Sequence, residues 1–325
     1  MTPQRPGIGT CIFALELFPV VRDIDQLAGE MVGSRGSQKE GNLNLFIGGN
    51  SAGQANLLGI FHFFGTCPLV RLEDVDAART VAGAPERIMR TLERFGFEWD
   101  GEIMRQSSRI DAYRAALRTL QDRDLTFECT CSRSQLEDDQ RYPGTCSALA
   151  LTAVDAGARA TATRLRAQPG HISFCDEIQG TYRQDVSAAV GDLILKRRDQ
   201  VFAYLLAVIV DDAAQGITHV VRGADLLDNT PRQIYVQRCL GAPSPRYAHV
   251  PVLTEHSGQK LAKSRRSVRA DEGDPVRQLL SVFSLLGMSP PAELRAASIA
   301  EAWKWAIAHW DKNAVPKHLN LRIAP

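Results

Sequence analysis

VFAYLLAVIVDD (201–212) and ITHVVRGADLL (217–227) decide the fold. The first is a near-continuous apolar run, the pattern of a parallel strand or of a helix covered on both sides. The second is β-branched, short, and followed by turn residues, as a second strand would be. Working outward, PLVRLEDVD (68–76) reads as a buried strand ending in an acidic loop, and NLNLF (43–47) alternates like a short strand. Gly48, Gly49 and Gly53 then precede an apolar run, which predicts strand, glycine turn and helix. Between these come two amphipathic helices. Pro85 opens the first, with Ile88, Leu92 and Phe95 on one face, and Tyr113, Leu117 and Leu120 form the stripe of the second, over about 108–121. Strands alternating with helices imply an α/β doubly wound domain.

Residues 126–190 break that rhythm with cysteines, turns and the β-like HISFCDEI, and read as an inserted module. The expected organisation is an irregular N-terminal extension (1–42), a split Rossmann-like domain (43–125 and 191–270), the insertion, and a small helical C-terminal domain (271–325). In the last of these Trp303, Ile307 and Trp310 share a face and suit a core.

The chain has 325 residues, 44% hydrophobic and 23% charged, the composition of a globular enzyme with a substantial core. A formal net charge of +1 gives no global attraction to nucleic acid, so such a partner would have to meet a local basic patch. Seven cysteines, three of them clustered, fit a reducing compartment better than a disulfide scaffold, and point to the cytoplasm. Residues 11–21 are apolar but short and interrupted by Glu16, and read as packed or peripheral structure rather than a membrane span or signal peptide.

Four places could carry chemistry. Cys129-x-Cys131 followed by Tyr142-x3-Cys146 offers four donors, the number a closed tetrahedral zinc site needs; two buried thiols and a turn are the plain alternative. GGNSAGQ (48–54) could cradle phosphate on backbone amides, but lacks the Gly-Lys-Ser/Thr ending of a P-loop and equally suits a simple turn. Lys260 and Lys263 are three apart in a basic segment that could meet a nucleotide's phosphates, or simply be a solvated run. Tyr204 and Arg222 each lie near the end of a strand-like segment, where α/β sheets bind ligands, and Arg222 offers a fork to a carboxylate. Glu73 could hold an ammonium or cap a turn.

Taken together these residues resemble one family, the glutamyl-Q tRNA(Asp) synthetases, short paralogues of the catalytic half of glutamyl-tRNA synthetases. The resemblance runs from about Leu69 to about Pro316. It is carried by VRLEDVDAART (70–80), LERFGFEWDGE (92–102), QSSRIDAYRAAL (106–117), the Cys129, Cys131, Tyr142, Cys146 set, the long string 202–233 and KLAKS (260–264). It implies a class I synthetase Rossmann fold that activates glutamate with ATP and transfers it to queuosine in the anticodon of tRNA(Asp). It also implies structural zinc on the Cys129, Cys131, Tyr142, Cys146 set, magnesium with ATP, and a monomer. By the resemblance Glu73, Tyr204 and Arg222 meet glutamate, Lys260 and Lys263 meet ATP, and Lys263 serves as the catalytic lysine.

The N-terminal side departs from the pattern. Where the family carries a HIGH-type motif this chain has Phe46-Ile47-Gly48-Gly49, without either histidine, and no site is carried over to 36–50. Ala262 and Leu205 also replace polar residues of the family. The departure leaves a second expectation open: a relative that binds amino acid or RNA without phosphate chemistry.

Overall fold

The structure, a computed structural model, describes residues 9–14, 45–51, 69–76, 83–97, 99, 102–131, 141–149, 160–254 and 273–322. The glycine-rich stretch after Ser51 and the Lys260–Lys263 segment lie outside these residues.

An eight-stranded sheet organises the chain, in the order β4-β3-β2-β1-β10-β11-β7-β8. Its members are β1 (Gly9–Ala14), β2 (Leu45–Ser51), β3 (Leu69–Leu72), β4 (Met104–Arg105), β7 (His171–Asp176), β8 (Gly180–Asp185), β10 (Ile217–Gly223) and β11 (Arg246–Val250). Strands β1, β10, β11 and β7 run parallel. β2 is antiparallel to both of its neighbours, β1 and β3, so β3 points the same way as β1 and β10.

Alternation along these strands builds two cores. On β10 Val220 faces one core and Val221 the other, and on β11 Tyr247 and Ala248 divide likewise. Helices α1 (Ala84–Arg94), α7 (Pro275–Leu285) and α8 (Ile299–His309) cover one face, and α2 (Ile110–Asp122), α5 (Tyr204–Ala214) and α6 (Thr230–Leu240) the other. The doubly wound expectation holds, with a sheet of mixed direction. The stripes of α1 and α2 are buried as their spacing requires. Trp303 of α8 packs edge-on against Phe97 and Phe283 and donates its indole N–H to the Phe95 carbonyl at 2.8 Å, so the C-terminal helices share the core of β3 and β11.

Three expectations change, and one open alternative is decided. Residues 1–42 are not all irregular: Gly9–Ala14 is a central strand, and the run Cys11-Ile12-Phe13 has the β-branched and aromatic character that suits one. The glycines at 48 and 49 are not a turn. They continue β2, with Gly48 opposite both Ile12 and Leu69, so their backbone lies in ladders rather than around a phosphate. VFAYLLAVIVDD, open between strand and helix in the sequence, is a helix from Tyr204; an apolar run buried on all sides has no period to tell the two apart. Finally, the insertion does not close at 190. β5 (Thr126–Cys129) and β6 (Ala162–Leu165) form a separate antiparallel sheet whose third strand is β9 (Leu193–Lys196), while β7 and β8, inside the expected module, edge the large sheet. Among the described residues no helix is long and apolar enough to cross a membrane. A last parallel pair joins β12 (Val252–Thr254) to β13 (Asn320–Arg322), with the Val252 amide donating to the Leu319 carbonyl at 2.9 Å.

Candidate functional site

The C-terminal ends of β3, β10, β11 and β7 lie along one edge of the sheet, because these strands share a direction. On β3, Val70 and Leu72 enter the α1 core, so Arg71 between them projects to the α5 face. There it donates to Asp212 Oδ1 at 2.7 Å, to Gln215 Oε1 at 2.6 Å and to Glu73 Oε1 at 3.3 Å. Arg71 and Glu73 are 1% and 5% exposed, so the cluster is dry. Asp211, next along α5, accepts from Gln106, Arg109 and Tyr113 and ties α5 to α2.

Tyr204 opens α5. Its ring is half-buried, while its hydroxyl is sealed from solvent without a hydrogen-bond partner among the described residues. Glu73 Oε2 is in the same condition. The phenol lies within reach of the charges of Glu73, Arg222, Asp212 and Arg71; burial foremost, then Glu73, push its pKa well above the usual value. Burial likewise raises the Glu73 carboxyl, against the pull of Arg71. Two carboxylates share the single guanidinium of Arg71, and Asp212 holds the shorter contact, so Glu73 is the less satisfied of the two.

Arg222, the penultimate residue of β10, is also buried. Its Nε donates to His249 Nε2 at 3.0 Å, and its Nη2 to Thr230 Oγ1 at 2.7 Å, with a longer contact to the Leu226 carbonyl. Its guanidinium lies 5.5 Å from the centre of the Tyr247 ring. The structure therefore brings Glu73, Tyr204 and Arg222 to one edge, on one face. Arg71, Asp212 and His249, which hold them, and Asp176, which holds His249 through Oδ2 at 2.5 Å from Nδ1, were not read from the sequence. The one signal was Arg71 itself, a charge between two apolar residues in a strand too apolar to face water.

The second cluster lies in the small sheet. β5 delivers Cys129, the following turn Cys131, and the segment around α3 (Thr145–Leu149) Tyr142 and Cys146. The three Sγ atoms lie within 4.8 Å of one another, with Cys131 and Cys146 at 3.4 Å. Cys129 Sγ–H donates to Tyr142 Oη at 3.6 Å, and the Cys146 amide donates to the same oxygen at 2.9 Å. A tetrahedron of ~2.3 Å zinc–sulfur bonds has edges of about 3.8 Å, so three thiols and a phenol at these separations could hold one metal ion. Burial pushes the Cys131 thiol up to about 12. At Cys146 burial acts in the same direction but is outweighed by the Thr130 backbone hydrogen bond and the Cys131 thiol, which bring it down to about 7. Gly144 has φ +84°, the left-handed conformation that lets the chain return Cys146 to the cluster. The Tyr142 amide donates to the Val190 carbonyl at 2.7 Å. Gly191 is required beside it: its φ is +76°, and a Cβ there would meet the Tyr142 carbonyl oxygen at 2.4 Å.

Residues 40–312 match the family model of the catalytic domain of class I tRNA synthetases (E and Q). The chain is 47% identical over 254 residues to the glutamyl-Q tRNA(Asp) synthetase of Pseudomonas fluorescens, covering 78% of this chain and 84% of that one. It is 46% identical over 257 residues to that of Aromatoleum aromaticum, covering 77% and 80%. In fold it is similar to a glutamate tRNA ligase of Elizabethkingia meningosepticum solved in complex with its amino acid, with a TM-score of 0.66 at 21% identity over 84% of this chain and 65% of that one. A glutamate-tRNA synthetase of Elizabethkingia anophelis gives 0.63 at 22% identity over 78% and 60%. The chain thus spans about three-fifths of the length of those two solved proteins.

Proposed function

The chain belongs to the glutamyl-Q tRNA(Asp) synthetases, within the class I tRNA synthetases of the E and Q group, and from that premise we propose that it is an ATP-dependent ligase that activates glutamate and passes the glutamyl group to queuosine in the anticodon of tRNA(Asp). The observation that carries this reading is the convergence of Glu73, Tyr204 and Arg222, with Glu73 Oε2 and the Tyr204 hydroxyl buried and unpartnered among the described residues. Burying such atoms costs ~1–3 kcal/mol each, a cost that a polar ligand bound there would remove.

In this reading Arg222 and Tyr204 orient a glutamate carboxylate, and Glu73 receives the α-ammonium. That ammonium supplies the positive charge that Arg71, shared with Asp212, does not fully provide. The α-carboxylate of glutamate attacks the α-phosphorus of ATP; a carboxylate oxygen–phosphorus bond forms, the bond to pyrophosphate breaks, and glutamyl-adenylate results. Lys263 stabilises the leaving pyrophosphate, Lys260 assists in holding the nucleotide, and magnesium with ATP supplies further charge on its phosphates. Zinc fits the thiol–phenol set of Cys129, Cys131, Tyr142 and Cys146. Four protein ligands leave it no open position for chemistry, so its part is structural.

Glutamate-dependent ATP–pyrophosphate exchange by pure protein tests the first half-reaction, and labelling of queuosine-containing against queuosine-free tRNA(Asp) tests the second. No exchange would favour a relative that binds without activating. One observation favours that second reading: of Phe46–Gly49, aligned with the family's ATP motif, residues 46–48 are paired on both sides within β2 and Gly49 is paired with β1. Equal labelling of the two tRNAs at the terminal adenosine would instead indicate an ordinary glutamyl-tRNA synthetase activity.

A further inference from the structure

Arg222 is almost wholly buried, yet among the described residues no carboxylate touches it. Its partners are neutral: the His249 imidazole at 3.0 Å, the Thr230 hydroxyl at 2.7 Å and the Leu226 carbonyl at 3.5 Å. The nearest carboxylate in this chain of bonds, Asp176, stands one imidazole further away, with Oδ2 at 2.5 Å from His249 Nδ1. Asp176 is itself pinned. Its Oδ1 accepts the backbone amides of Gln179 at 2.8 Å, Ile178 at 3.0 Å and His249 at 3.1 Å, and both Asp176 and His249 side chains are 0% exposed.

The chemistry fixes the protons. An arginine Nε can only donate, so His249 Nε2 must be a lone pair, and the single ring proton sits on Nδ1, facing Asp176. The ring is then neutral. Its pKa is lowered, first by burial and next in that direction by Arg222, against the opposing bond to Asp176. Asp176 is held as a carboxylate: the His249 bond and the backbone amides outweigh burial.

Resting on the function proposed above, we infer that Asp176 and His249 are positioning residues for glutamate. Asp176 fixes the His249 tautomer, and the His249 lone pair then aims the Arg222 guanidinium by its Nε without neutralising it. A carboxylate in direct contact with Arg222 would compete with the substrate. An imidazole between them transmits direction while leaving the charge for the ligand. Among the described residues Nε and Nη2 are engaged and Nη1 is not, which leaves one corner of the fork for a carboxylate.

The experiment combines imidazole ¹⁵N NMR of the full chain with pyrophosphate-exchange kinetics of Asp176→Asn, His249→Phe and His249→Gln; comparison with His249→Gln assigns the ring. The ring should read as the neutral Nδ1–H tautomer at pH 7.5. An Nε2–H tautomer or an imidazolium overturns the inference, whether or not the protein exchanges pyrophosphate. In Asp176→Asn the amide can donate to Nδ1, which moves the ring proton to Nε2 and sets two donors against each other at Arg222. The KM for glutamate should rise at least tenfold while the KM for ATP stays within about twofold. His249→Phe should do the same, and His249→Gln, whose side-chain oxygen can replace Nε2 as acceptor, should recover most of the loss. Unchanged glutamate KM in Asp176→Asn, or equal losses in the Phe and Gln variants, also overturns it. If the unmutated chain shows no exchange, the proposed function fails and the NMR result alone decides the inference. Thermal melting separates misfolded variants, and if Asp176→Asn does not fold, the two His249 variants decide.

Discussion

In the pocket at the edge of β3 and β10 the buried charges are held by partners from several elements, whereas in the cysteine cluster of the small sheet the thiols are held by one another, by Thr130 and by Tyr142. Arg71 has Asp212, Gln215 and Glu73, and Arg222 has His249 and Thr230. In the cluster, Cys131 and Cys146 have chiefly each other, and one thiol is pushed up while its neighbour is pulled down. The first region is preorganised: its charges have partners within the protein, while among the described residues Glu73 Oε2 and the Tyr204 hydroxyl lack one. The second could be organised by a metal ion, because thiols packed together gain little until a cation takes their protons.

This contrast predicts different consequences for fold and for function. The largest effect is expected in the cluster. Cys129→Ser or Cys146→Ser should reduce bound metal from about one equivalent to well under a tenth. It should also destabilise the small sheet by on the order of 5 kcal/mol, read by metal analysis and by hydrogen exchange of β5 and β6. Full metal retention in both variants would break the comparison.

Next comes the pocket. Arg222→Lys keeps the charge but loses the fork, and should lower kcat/KM for glutamate by about 4 kcal/mol, roughly a thousandfold, in pyrophosphate exchange. Metal content should not change. A smaller effect sharpens the point: Tyr204→Phe deletes a buried hydroxyl that has no partner among the described residues. Glutamate KM should rise about tenfold, while urea stability stays level or improves by up to ~1 kcal/mol. A stability loss of several kcal/mol would mean that the hydroxyl is bonded in the free protein.

The smallest effect concerns pH. His249 and Asp176 both have depressed native values, so the unfolded chain binds protons that the native one refuses. Their contribution is complete above the ordinary histidine value near 6.5. It declines as pH falls below that value, first through His249, and again as pH enters the carboxylate range. Urea midpoints from pH 8 to 5 should show the first decline, and His249→Gln should remove it. A midpoint that rises on acidification would contradict the protonation states assigned here.

What the sequence disclosed follows the same division. The four donors of the cluster lie between 129 and 146, so spacing alone could suggest them. The stripes of α1 and α2 were legible because a helix repeats over a few residues. The pocket is different. Arg71 meets Asp212 across 141 positions, and Asp176 meets His249 across 73. No local pattern encodes such pairs; Glu73, Tyr204 and Arg222 were candidates from their place at segment ends, the resemblance gave them glutamate, and their supports were not proposed at all. The run at Tyr204 was left open between strand and helix because burial on every side erases periodicity. The glycines of β2 were misread because a residue favoured in turns is also tolerated where two strands flank it.

The pairing of β12 with β13 ties the stretch leading into the lysine-bearing segment to residues 320–322. Trimming the chain before Asn320, or fusing an affinity tag directly behind Arg322, would disturb the anchor point of the residues proposed to grip the nucleotide. Expression designs should place purification handles at the other end.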